Sequence, residues 1–105
     1  MKCKILSKIK VEDFILNNNK YHFKKPLYLE LTYLGKHNKL DRYYCWEPIF
    51  KIYAVGKTQE SMLTEFKEYW DELYRGYALI YDSKLHNTAK ALKRKLLEYC
   101  EVNKI

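Results

Sequence analysis

Glycine and proline are scarce, 3 and 2 of 105 residues. That excludes collagen-like repeats and Pro/Gly-rich low-complexity chains. Cysteine is sparse too, and the three, Cys3, Cys45 and Cys100, never form a C-x-x-C. An odd, widely spaced set argues against a disulfide framework and suits a reducing compartment. The histidines, His22, His37 and His86, lie far apart, with no paired His or Cys spacing to suggest zinc. No stretch approaches the ~18–20 apolar residues of a membrane span. Residues 1–10 lack the uninterrupted apolar core of a signal peptide. Missing as well are a Gly-rich phosphate loop, a nucleophile motif and a metal-spaced cluster. The expectation is a cytoplasmic protein without enzymatic activity, metal or cofactor, and with no membrane attachment.

What is present is a globular balance. Hydrophobic residues make up 48% and charged residues 31%. That supplies one core in a single domain and excludes a mostly disordered chain. Tyrosine is abundant at 11, lifting the aromatic share to 16%. The net charge of +7 is uneven: residues 1–26 carry seven lysines against two acids, and residues 57–82 six acids against three bases. Residues 83–105 return to six bases against two acids. A basic chain attracts polyanions, whether nucleic acid, an acidic partner or an anionic membrane, although solubility alone also accounts for such charge.

Apolar and lysine positions alternate from Cys3 to Val11, a period of two that marks a strand with one lysine-rich face. Lys2, Lys4, Lys8 and Lys10 suit a solvated or edge strand. Phe14-Ile15-Leu16 reads as its continuation. Asn17-Asn18-Asn19-Lys20 supplies turn residues that tolerate positive φ, and Tyr21-His22-Phe23 resumes extended structure, giving a hairpin. Leu27, Leu29, Leu31 and Tyr33 alternate with Tyr28, Glu30 and Thr32 in a third strand. Gly35 to Asp41 reads as a polar loop. Tyr43-Tyr44-Cys45-Trp46 is a short aromatic strand stopped by Glu47-Pro48, and Ile49 to Val55 is another strand.

Thr58 is a good helix N-cap, and Glu60 suits the positive end of the dipole. Met62, Leu63, Phe66, Tyr69, Trp70, Leu73, Tyr74 and Tyr77 recur on one face. Thr64, Glu68, Asp71 and Arg75 fall on the opposite, solvated face. Gly76 is expected to weaken or end the helix. After a connector at Asp82 to His86, Asn87 or Thr88 caps a second helix reaching about Val102. Its apolar positions are Ala89, Leu92, Leu96, Tyr99 and Cys100, and Arg94–Glu98 has pairing spacing. Lys90, Lys93 and Arg94 crowd its first half, where the dipole disfavours cations, a hint of an anionic partner. Strands first and helices after predict an α+β fold: a small antiparallel sheet of about four or five strands, one face covered by the long helix.

Residues Leu27 to Leu73 resemble the HicB-like antitoxin domain. The pattern is a strand at Leu27–Leu31, an aromatic strand ending in Pro at Tyr43–Pro48, and a strand at Phe50–Val55. It then runs into Gly56-Lys57-Thr58-Gln59-Glu60. Gly56, Thr58 and Glu60 match the family's G-x-T-x-E helix start, while Ser61 and Met62 stand where the family has Glu and Ala. The resemblance implies a degenerate RNase H-like fold and a non-enzymatic protein that binds and blocks a partner toxin, usually an RNase. No DNA-reading module follows the helix, and candidate carboxylates Glu30, Asp41 and Glu47 have no pattern that brings them together.

On the antitoxin reading, a toxin docks at a sheet edge or on the aromatic strand, through Tyr43, Tyr44 and Trp46. Glu65, Glu68, Asp71 and Glu72 on the outer helix face would meet a basic RNase. Self-association, most simply as a dimer, suits a small sheet with a free edge. The alternative is nucleic-acid binding through Lys2, Lys4, Lys8, Lys10, Lys90, Lys93 and Arg94, with tyrosines stacking on unpaired bases.

Overall fold

The computed structural model describes residues 4–105, with side chains from Ser7 onward. Lys2 and Cys3 lie outside the described residues. Seven strands and two helices follow in the order β1 (Lys4–Val11), β2 (Phe14–Leu16), β3 (Asn19–Phe23), β4 (Leu27–His37), β5 (Leu40–Glu47), β6 (Ile52–Gly56), α1 (Gln59–Leu73), α2 (Asn87–Tyr99) and β7 (Cys100–Lys104). The fold is α+β with antiparallel sheets, but the strands divide between a four-stranded sheet, β1-β4-β5-β6, and a three-stranded one, β2-β3-β7. The chain sorts into two compact units: one ends its first stretch at Val11 and resumes at Leu27–Glu68, and the other comprises Glu12–Pro26 and Tyr69–Ile105.

In the first unit, β4 and β5 form a long hairpin closed by Asn38 and Lys39, both at positive φ (52° and 65°). Two such residues make the turn that matches the twist of paired strands. The loop expected at Gly35 to Asp41 is therefore mostly strand, with Gly35 (φ 87°) at an irregularity in the ladder. The strand expected from Ile49 begins only at Ile52. Glu47 is fully buried, and its carboxylate accepts the backbone N–H of Ile49 (2.8 Å) and Phe50 (2.7 Å). Those bonds turn the intervening residues into a tight connection, which alternation of residue types does not reveal. Leu27, Leu29, Leu31, Cys45 and Ala54 are buried on one sheet face, and Met62 and Phe66 are buried on the helix that covers it. Each large side chain buried in this way contributes roughly 1.5–3 kcal/mol.

The passage from β6 into α1 is tight. A Cβ at Gly56 would lie 2.5 Å from the Met62 backbone nitrogen. Thr58 Oγ1 accepts the Ser61 N–H (3.0 Å), and Ser61 Oγ accepts the Thr58 N–H (3.1 Å). This is a reciprocal capping box in which serine does the work of the usual glutamate.

In the second unit, Asn17 and Asn18 (φ 52° and 63°) close the β2–β3 hairpin anticipated from the asparagine run. β2 does not continue β1, because it pairs only within the other sheet. α1 gives way to a π-helical turn at Tyr74–Ala78, around Gly76. α2 starts after His86, which is extended and makes no side-chain cap, so neither Asn87 nor Thr88 is the cap. It stops at Tyr99, short of Val102, because Cys100–Lys104 pairs with β3 and the Tyr99 carbonyl accepts the N–H of Lys24 (2.8 Å) and Lys25 (3.3 Å). Tertiary pairing overrides helix propensity there.

This unit's core is largely aromatic. Phe14 packs on Tyr21 with ring centroids 5.2 Å apart, Tyr21 meets Tyr74 edge-on at 5.5 Å, and Phe23 meets Trp70 at 5.1 Å. Tyr74 donates its hydroxyl to the Cys100 carbonyl (2.8 Å), and burial pushes that phenol up to about 12. Asp71 is not on a solvated face. It is 1% exposed, accepts a short hydrogen bond from the Tyr21 hydroxyl, and takes Arg75 Nη2 and Nε at 2.7 and 3.0 Å. Burial alone would raise its carboxyl, but the bonds from Arg75 and Tyr21 outweigh that and hold it below the ordinary aspartate range.

Two expectations follow. Gly56→Ala should lower stability by about 1–3 kcal/mol through overpacking. Gly76→Ala, where a Cβ meets nothing within 4 Å, should be neutral or gain up to about 1 kcal/mol. Equal urea midpoints for the two variants would refute the close approach at Gly56. Asp71 has a depressed folded-state pKa, so its contribution is present above the unfolded-state value near ~4 and is lost as pH falls through the folded value. Urea midpoints of the native chain should therefore drop between about pH 5 and pH 2 more steeply than those of Asp71→Asn.

Candidate functional site

The four-stranded sheet has one buried face and one uncovered face, and alternation along the strands assigns residues to each. Opposite the leucines of β4 stand Tyr28, Glu30 and Thr32. Lys10 pairs with Tyr28 and Lys8 with Glu30; Glu30 pairs with Trp46, which pairs with Tyr53; Thr32 pairs with Tyr44, which pairs with Val55. Arg42 precedes Tyr44 and Trp46 on the same side of β5. The uncovered face thus carries Tyr28, Tyr44, Trp46 and Tyr53, with Lys8, Lys10 and Arg42 around them and Glu30 in the middle. Tyr28 is 47% and Tyr53 57% exposed, while Tyr44 and Trp46 are half-buried between them. The Tyr44 and Tyr53 rings approach at 6.1 Å. Burial raises the Tyr44 phenol above its ordinary value, with smaller contributions from Cys45, Tyr53 and Glu30.

The aromatic strand is divided by the pleat. Tyr43 lies on the other face beside Tyr33 (ring centroids 5.3 Å), whose hydroxyl donates to Asp41 at 2.8 Å. Only Tyr44 and Trp46 share the uncovered face. β5 is an interior strand, so it offers no edge for strand addition. At the β6 edge, Val55 already donates its N–H to Glu65 Oε2 (2.8 Å), which takes Glu65 away from the outer helix face.

A second surface lies along α1. Glu60, Thr64, Glu68 and Glu72 recur every four residues and are exposed. They stand apart from the stripe Met62, Phe66, Trp70 and Tyr74, which is buried. Glu68 keeps its expected exposure; Asp71 does not.

Of the basic residues that the charge pattern suggested, Lys4, Lys8 and Lys10 belong to the first unit and Lys90, Lys93 and Arg94 to the second. Lys8 and Lys10 are exposed on the uncovered face. Lys4 pairs with Tyr33, beyond an irregularity between Ile5 and Ser7 that breaks its alternation with Lys8. On α2, Lys93 is occupied within the chain, 2.9 Å from Asp82 and 2.6 Å from the Ile80 carbonyl, which explains a cation early in that helix. Lys90 is half-buried and Arg94 exposed. Glu98 pairs with Lys25 (2.5 Å) rather than with Arg94.

Glu30, Asp41 and Glu47 do not converge: Glu30 is on the uncovered face, Glu47 is buried and bonded to its own turn, and Asp41 holds Tyr33. Among the described residues no group of three His, Cys, Asp or Glu is placed to hold a metal ion, and no helix is long and apolar enough to cross a membrane. Cys45 and Cys100 are free and buried, and burial pushes their thiols up to about 11 and about 12. Compared with known proteins, the chain matches no protein-family model, no curated protein and no solved structure.

Tyr28, Arg42 and Tyr53 were not singled out from sequence, and Glu30 only as a candidate carboxylate, although residue alternation along β4, β5 and β6 puts all four opposite the apolar positions. If their face is uncovered, Tyr28→Ser and Tyr53→Ser should change stability by no more than about 0.5 kcal/mol. Leu29→Ala, on the buried face, should cost about 2–5 kcal/mol by the same urea titration.

Proposed function

We propose that the chain is a non-enzymatic binding protein of the antitoxin type, which neutralises a partner toxin, an RNase in the class implied by the HicB-like resemblance. The observation that carries this reading is the exposed acidic stripe of α1, Glu60, Glu68 and Glu72. It sits on a basic chain, directly after the Gly56–Thr58 joint on which the resemblance rests. An RNase must present cationic surface to RNA, and an acidic helix face laid across that surface excludes the substrate by charge complementarity. The strand meander β4-β5-β6 leading into α1 is consistent with the same reading. Dimerisation, as part of it, has β1 as the open sheet edge, since the β6 edge is partly closed by Glu65.

The test is to recover the tagged chain from its native host at about physiological salt, where screening extends only ~8 Å, and to assay co-purified protein for RNase activity. A stoichiometric small RNase, inactive in the complex and active after separation, is expected. Glu60→Lys and Glu68→Lys should each slow its association about ten-fold, as charges at interface rims govern on-rates. An RNase that stays active when bound, or association unchanged by both reversals, would overturn the proposal.

A further inference from the structure

The uncovered face of the four-stranded sheet is unaccounted for by a toxin bound to α1. Four aromatic side chains on one sheet face, two of them about half exposed, form a surface that water wets poorly. Yet Lys8 and Lys10 flank the patch along β1, and Arg42 stands at its end on β5. A protein ligand would not require cations on the rim; a polyanion with flat apolar faces would. Nucleic-acid bases stack on aromatic rings whatever their sequence, and the phosphates between them need basic neighbours. A duplex hides its base faces, so the occupant must be single-stranded, and single-stranded loops, bulges and ends are where proteins read RNA sequence.

We propose that this face binds single-stranded RNA, with bases stacked on Tyr28, Trp46 and Tyr53 and the backbone along Lys8, Lys10 and Arg42. Glu30 decides how the strand must lie. It stands between Lys8 and Trp46 across the ladder and between Tyr28 and Thr32 along β4, and cross-strand neighbours are only about 5 Å apart at Cβ. A carboxylate in the centre repels phosphate, so the backbone keeps to the rim. The same carboxylate accepts hydrogen bonds from the edge of a base stacked on Trp46. Guanine offers two donors side by side, N1–H and the N2 amino group, which a carboxylate accepts in bidentate fashion. The site therefore selects guanine at one position and is tolerant at its neighbours. This inference is independent of the toxin reading and uses none of the α1 glutamates.

The experiment is fluorescence anisotropy with labelled uridine oligomers of about ten nucleotides, close to a single-fold site size. They carry guanine, inosine, adenine or no substitution at one central position, with a duplex and a DNA counterpart alongside. The guanine oligomer should bind about ten-fold tighter than the adenine one, and inosine, which lacks the amino group, should fall between. Tyr53→Ala should weaken every oligomer about ten-fold. Lys8→Ala with Lys10→Ala should do so too and reduce the salt slope by about 1.4. Glu30→Gln should erase the guanine preference while leaving the plain uridine oligomer bound at least as tightly. Absence of binding overturns the proposal, as does equal or tighter binding of duplex or DNA, or indifference to Tyr53→Ala in a variant that folds normally. A guanine preference that survives Glu30→Gln overturns the role of that carboxylate.

Discussion

The backbone of α1 lies so close to the end of β6 that no side chain fits between them. Gly56 makes that approach possible, and much of the chain's arrangement depends on it. The helix can start with only two residues between it and the strand because the turn is that tight. The start then sets the rotation of the helix about its axis. With Thr58 and Ser61 locking the first turn, Met62 and Phe66 are committed to the buried side, and Glu60, Thr64 and Glu68 to solvent. Glu65 falls where its carboxylate reaches the Val55 N–H. One glycine and one capping box thus decide which residues α1 hides, which it displays, and how one sheet edge is closed.

The second unit is held together differently. Its core is a set of rings with polar handles, and those handles are paired inside it: Tyr21 with Asp71, Tyr74 with the Cys100 carbonyl. A buried carboxylate would be costly if left alone. Here Arg75 keeps its charge balanced while its own side chain stays half in solvent. The abundance of tyrosine, which composition alone leaves unexplained, is partly a matter of building a core whose edges can accept and donate hydrogen bonds.

Much of the architecture was legible in the residue order. The strand alternation around Leu27–Leu31, the asparagine hairpin, the Thr58 cap and most of the apolar stripe of α1 are local signals that appear in place, although Tyr69 of that stripe is 41% exposed. What escaped were interactions between residues far apart in sequence. Nothing near Asp71 announces that Tyr21 will bury it. Nothing near Tyr99 says that the next five residues will pair with β3 instead of extending the helix. Lys93 looked like a cation misplaced near a helix start until Asp82 and the Ile80 carbonyl were found beside it. The aromatic strand was half legible: its rings were recognised, but only the ladder register shows that Tyr43 parts from Tyr44 and Trp46. The uncovered sheet face was missed because its members come from four strands and no two of its rings are neighbours in the chain apart from the pair on β5.

Each unit is built from two stretches of chain, and the hairpin β2–β3 waits for a partner, β7, at the far end. Synthesis proceeds from the N-terminus, at about 5–20 residues per second. The chain up to Glu68 therefore leaves the ribosome with one unit's residues complete, while β3 still has an open edge and Tyr21 still lacks Tyr74 and Asp71. For several seconds this segment is the most vulnerable to pairing with a neighbouring nascent chain. Lys20, Lys24 and Lys25, in and just after β3, put like charge along that edge, which discourages such pairing.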